Sequence, residues 1–147
     1  MQNDNEVDEN REVKNCNDTL LRRAIQLFNT GDFISSVTLA GAANEIFGQF
    51  AIKRQGYNTL DNDKWFWDGI AEMFKKNKPS KYKIKQVNNR IKNSLKHHDI
   101  AVDPIIEADF EFEAQCQIDS AIRNYWIAFD KPPKDRIINN YVNWQWT

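Results

Sequence analysis

Residues 18–56 read DTLLRRAIQLFNTGDFISSVTLAGAANEIFGQFAIKRQG, and this stretch decides the fold. Leu20, Leu21, Ala24, Ile25 and Phe28 recur at helical spacing, Asp18 or Thr19 can cap the run, and Gly31 stops it. The same spacing predicts a second helix from about Phe33 to Arg54, with Gly56 just past its end. Gly31 and Asp32 leave so short a link that the two helices must fold back as an antiparallel hairpin. Ala40, Gly41, Ala42 and Ala43 put small side chains on the second helix, where a neighbour can come close.

Working outward, Asp61 or Asp63 can cap a third helix, DKWFWDGIAEMFKKN, with Phe66, Ile70, Met73 and Phe74 facing inward. Pro79 breaks it, because proline disfavours helical geometry at the residue before it. A fourth helix is expected from about Tyr82 to His98, with the stripe Ile84, Val87, Ile91 and Leu95. A fifth, from about Phe110 to Phe129, carries Ala114, Ile118, Ala121, Ile122, Tyr125 and Phe129. Pro132 and Pro133 end it and can start a short last helix bearing Ile137, Ile138, Tyr141 and Trp144. Only the stretch DFEFE alternates enough to be extended. The reading is an all-α, single-domain bundle of five or six helices over residues 17–147, preceded by a polar, acidic tail over 1–16 expected to be disordered.

Composition agrees. The 147 residues suffice for one core, 41% are hydrophobic, and five glycines and four prolines leave room for long helices. Cys16 and Cys116 are far apart and read as reduced thiols, with no ligand spacing for zinc and no cofactor implied. No apolar run approaches a membrane span, so a cytoplasmic protein with no membrane partner is expected. The formal net charge of −1 hides an abrupt division. Lys75 to His98 holds nine Lys or Arg and no acid, whereas Asp99 to Asp119 holds seven acids and no base. Either the basic block is a surface for RNA or another phosphate-rich ligand, or two solvated helix faces attract each other. Trp65 and Trp67 can stack bases or pack at a seam, and NWQWT at the C-terminus either folds back or meets a second subunit.

Within the basic block lies RIKNSLKHHD, Arg90 to Asp99. On a helix Arg90 and His97 fall on one line with Asn93 between them, while His98 joins the apolar stripe. A guanidinium suits phosphate oxygens, an imidazole can exchange a proton near neutral pH, and Asn93 can orient either. The plainer alternative is that Lys96, His97 and His98 complement a helix C-terminus.

AIQLFNTGDFISSVTLAGAANEIFG, followed by NSLKHHD and DSAIRNYW, resembles a family of short bacterial proteins. Its members share an A-I-x-L-F opening, a T-L-A-x-A-A second helix and an N-x-x-K-H-x-D signature. The arrangement is also similar to the HEPN superfamily, small helical bundles that often dimerise. Many are metal-independent ribonucleases of toxin–antitoxin, abortive-infection and CRISPR systems. Their motif is Arg, four to six residues, then His, commonly with a polar residue just after the Arg. Arg90 to His97 has the longer spacing, with Ile91 in the polar position; the overlapping KNSLKH has Asn93 in place but Lys92 where arginine is expected. The resemblance implies a ribonuclease in which Arg90, Asn93 and His97 are catalytic. Lys85, Asn89, Lys92 and Lys96 would contact nucleic acid. It also implies a homodimer and an antitoxin-like protein partner. The rival is a non-catalytic interaction or nucleotide-binding module using the same fourth helix.

Overall fold

The computed structural model describes residues 18–96 and 107–146, and these form six helices and no strand. The first, α1, covers residues 18–29. It turns at Gly31, whose φ of +83° is open to glycine at little cost. Asp32 N–H donates to the Leu27 carbonyl at 2.9 Å, and the Asp32 carboxylate accepts from Ser35 N–H at the start of α2, Phe33–Gln55. One aspartate thus closes the first helix and opens the next, which makes the expected hairpin. Ser36 Oγ donates to the Ala24 carbonyl at 2.8 Å and fixes the pair where both helices are buried.

α2 is the central helix. Gly56, at φ +80°, ends it with a bond to the Ile52 carbonyl. The next helix, α3, spans Thr59–Met73 and is capped by Asn58, not by Asp61 or Asp63. Asn58 accepts from the Leu60 and Asp61 amides while Asp61 reaches back to the Asn58 amide, a capping box. α4 spans Lys81–Lys96, α5 Phe110–Phe129 and α6 Arg136–Trp146. DFEFE is helical rather than extended, because Asp109 caps α5 through the Phe112 amide. Pro132 and Pro133 stop short of α6, which instead starts where the Asp135 carboxylate accepts from the Ile137 and Ile138 amides.

The core lies where α2 meets α5, flanked by α1 and α6. Leu21, Ile25, Val37, Phe47, Ile118, Tyr125 and Ile138 are fully or almost fully buried there. Each such large side chain contributes roughly 1.5–3 kcal/mol by leaving water. Aromatic edges order the packing: Phe47 meets Tyr125 at 5.2 Å, and Phe28 meets Tyr141 at 5.9 Å. Trp144 sits 6.3 Å from the Phe28 ring, so the C-terminal aromatic folds back on the bundle although it stays largely exposed.

The predicted α3 stripe faces the other way, and the α4 stripe departs from expectation at one position. Phe66, Met73 and Phe74 on α3 are exposed, and its buried positions are the small Thr59 and Ala71. On α4, Ile84 and Ile91 are buried as expected, but Val87 is 64% exposed. Among the described residues no helix is long and apolar enough to cross a membrane. The expected tail over 1–16 and both histidines lie outside the described residues.

Candidate nucleic-acid interface

α4 divides its cations between two flanks. Lys85, Asn89, Lys92 and Lys96 recur at spacings of four, three and four, which at about 100° per residue keeps them within a roughly 60° sector. This flank turns toward α2. Lys92 is only 6% exposed, and its Nζ meets Glu45 Oε1 at 2.6 Å. Its stem lies over Gly41, where a Cβ would come within 2.7 Å of Lys92 Cγ. The small-residue stretch of α2 therefore accommodates a lysine stem. Partial burial pushes the Glu45 carboxyl up, but the Lys92 bond and charge, with Lys96 and Lys85 behind it, hold it below the ordinary carboxylate value.

Among the described residues the other acids bonded to α4 come from α3 rather than from α5. Lys81 Nζ meets Asp61 Oδ1 at 2.6 Å, and Asn88 donates to Asp63 at 2.9 Å. Asn89 donates to the Lys85 carbonyl and accepts from Gln117. Gln117 belongs to an interior polar chain that locks α2, α3, α4 and α5 together. Gln117 Nε2 donates to the Asn88 carbonyl at 3.2 Å, and Asn44 Nδ2 donates to Gln117 Oε1 at 3.2 Å. Asn124 Nδ2 then donates to Asn44 Oδ1 at 2.7 Å, and Thr59 N–H to Asn124 Oδ1 at 2.9 Å. Lys85 and Lys96 remain exposed at the ends of this flank.

The outer flank differs. Lys83, Gln86, Arg90 and Asn93 are all exposed and share one side of the helix. Among the described residues neither Lys83 nor Arg90 makes an ion pair. Arg90 is thus exposed on the outer side of α4, and the exposed Asn93 lies between it and the flank of Lys85, Asn89 and Lys92. His97, the third expected catalytic residue, falls outside the described residues.

Arg90 lies within electrostatic reach of Glu113 in the first turn of α5. Burial raises the Glu113 carboxyl, the Arg90 charge pulls it back in part, and Asp109 adds to the rise. A carboxyl raised beside a guanidinium can exchange protons closer to neutrality than usual. Sequence spacing gave no sign of it, because α5 enters from a different part of the chain. Cys116, one turn further on, has its thiol pushed up by burial and by Glu113 and Asp119. That is the opposite of an activated nucleophile.

An open cleft of about 1570 Å³ runs beside α5, lined among others by Lys85, Asn89, Lys92, Glu113, Gln117 and Tyr141. Arg90 and Asn93 are not part of its lining. The Tyr141 hydroxyl donates to Asp119 at 3.0 Å across the cleft wall. Among the described residues no group of three His, Cys, Asp or Glu could hold a metal ion. No family model, curated protein or solved structure matches this chain, so the arrangement is read from its own side chains.

Proposed function

We propose that this chain is an RNA-handling protein of HEPN-like type, which contacts the phosphate backbone through the outer flank of α4. The observation that carries the reading is the division of charge on one helix. Lys81 and Lys92 are neutralised by Asp61 and Glu45, whereas Lys83 and Arg90 stand in water beside Asn93 and Gln86. Exposed cations interleaved with neutral donors suit a polyanion, since phosphates take the charge and amides take the remaining oxygens. In the cleavage form of this proposal, Arg90 holds the scissile phosphate, His97 exchanges the proton and Asn93 orients them. The exposed Lys85 and Lys96 add attraction, and an antitoxin-like partner would mask the same flank.

A second reading, a non-catalytic interaction or nucleotide-binding module, draws on Lys92. That residue sits where the closer motif match expects arginine, and its burial against Glu45 takes it out of solvent. The deciding experiment incubates purified protein with mixed RNA in the presence of EDTA, beside His97→Ala and Arg90→Ala controls. Cleavage by the wild type alone supports the ribonuclease. Binding without cleavage, lost in Lys83→Glu/Arg90→Glu, supports the non-catalytic module. Absence of RNA binding at low salt refutes the RNA-handling reading.

A further inference from the structure

α4 carries six cations and no acid: Lys81, Lys83, Lys85, Arg90, Lys92 and Lys96. Asp61 and Glu45 engage Lys81 and Lys92. On the outer flank Lys83 and Arg90 stay exposed among the described residues, about 10 Å apart along the helix axis. Lys75, Lys76 and Lys78 continue the same sign of charge just ahead of the helix.

The matching charge lies at the far end of the sequence. Residues 1–10 hold four acids, Asp4, Glu6, Asp8 and Glu9, and no base. Asp4, Glu6 and Asp8 alternate with other residues, so an extended segment sets their carboxylates on one side, about 7 Å apart.

The chain is long enough to bring the two together. Burial and then the Asp18 charge push the Tyr125 hydroxyl up, which puts the start of α1 near Tyr125. The Tyr125 ring meets Phe47, two residues along α2 from the Glu45 that holds Lys92. The segment before Asp18 therefore joins the bundle at the level where α4 lies against α2. A path from there around one helix, with a diameter of about 10–12 Å, is roughly 20 Å. The chain from Asp18 back to Glu9 spans up to roughly 30 Å, and back to Asp4 up to roughly 45 Å.

We infer that the acidic segment from Asp4 to Glu9 docks within its own chain on the outer flank of α4, against Lys83 and Arg90, and competes there with a polyanion. The competition rests on the RNA-handling reading; the docking does not. Tethering gives the segment an effective concentration on the order of millimolar at the flank, so individually weak ion pairs suffice. A flank that is free for roughly a tenth of the time binds a polyanion about tenfold more weakly than a bare one.

Paramagnetic broadening reads the docking directly. In a Cys16→Ser/Cys116→Ser background, a nitroxide on Asn5→Cys should broaden the amides of Lys83 and Arg90 and leave those of Trp67 and Glu72 sharp. The effect should fade at about 0.5 M salt. It should also be absent when the nitroxide is carried only by a second copy mixed with isotope-labelled protein. Fluorescence anisotropy with a uridine oligomer at low salt reads the competition. Glu6→Gln/Asp8→Asn/Glu9→Gln should tighten binding about tenfold. Glu72→Gln/Glu107→Gln/Glu111→Gln makes the same change of net charge at exposed positions and should tighten it by less than about threefold. Broadening that is absent, that survives high salt or that arises only between molecules overturns the docking. Equal tightening by the two triple variants overturns the competition. If the oligomer binds no variant while broadening at the flank persists, the RNA-handling reading falls with the competition and the docking stands.

Discussion

The contact between Gly41 and Lys92 predicts a substitution whose sign depends on its neighbour. In an exposed helix interior, Gly→Ala gains about 1 kcal/mol from reduced backbone freedom in the unfolded chain. At Gly41 the new Cβ would stand within 2.7 Å of Lys92 Cγ and closer still to Cδ. The lysine stem, buried between α4 and α2, must leave its place. Such overpacking costs roughly 1–3 kcal/mol, so Gly41→Ala should destabilise the wild type on balance. Lys92→Ala removes three methylenes beyond Cβ, at about 0.8 kcal/mol each, and an ion pair to half-exposed Glu45 that is worth at most about 1 kcal/mol. In that background the obstruction is gone, and Gly41→Ala should become stabilising by about 0.5–1 kcal/mol, because its methyl refills part of the vacated space. Lys92→Met keeps an unbranched stem without the charge, so there Gly41→Ala should remain unfavourable. Urea melts followed at 222 nm would measure the cycle, and a thermal shift of about 2–4 °C per kcal/mol is expected for a chain of this size. A Gly41→Ala effect of the same sign and size in all three backgrounds would refute the reasoning.

Three other outcomes follow from the same contacts. Asn124→Ala should cost about 2–3 kcal/mol, since it strands the buried Thr59 amide and removes the bond to Asn44; hydrogen exchange should accelerate at the Thr59 amide, and an unchanged rate would mean another acceptor replaces it. Asp135→Ala should lower stability by about 1–2 kcal/mol through loss of the α6 cap and the Arg22 contact, read as a drop in melting temperature. Glu45 is pushed up by desolvation yet held below its ordinary value by Lys92. The stability from its charge is therefore complete above the unfolded carboxylate range and disappears as pH falls through the lowered folded value. Glu45→Gln should thus melt lower than wild type at about pH 7, by no more than about 1 kcal/mol, and the difference should vanish as pH falls through the lowered folded value.

The hairpin of α1 and α2 was legible because its signals are local: periodic apolar residues, a glycine with positive φ, and an aspartate that caps across two residues. The same logic misassigned α3. Periodicity finds the more apolar side of a helix, but the side that α3 turns inward carries Thr59 and Ala71, which are small and give little signal. Its cap was readable in principle, since Asn58 and Asp61 stand three apart as a capping box does. On α4, the spacing of Lys85, Asn89, Lys92 and Lys96 marks a single flank without any structure. What spacing could not reveal is where that flank points, because Glu45 lies 47 residues from Lys92 in the chain. The chain of Asn44, Gln117 and Asn124 was hidden for the same reason, since Asn44 lies 73 residues from Gln117 and 80 from Asn124.

Among the described residues, the charge switch between the basic and the acidic block is therefore not two helices pairing directly. Among the described residues the acids bonded directly to α4 are Glu45, Asp61 and Asp63, on elements that precede it. The acids at the start of α5 have a local use: Asp109 caps the helix, and Glu111 and Glu113 face its positive end. Among the described residues Glu113 comes within electrostatic reach of Arg90 on α4, and burial leaves its carboxyl raised despite that charge. No ion pair joins Arg90 to Glu113 among the described residues, so Glu113 offsets Arg90 only at longer range. The positive potential on the outer flank then persists in a chain whose formal net charge is −1. Bulk charge consequently says little about whether this protein meets a polyanion, and the orientation of Lys83, Arg90 and Asn93 says more.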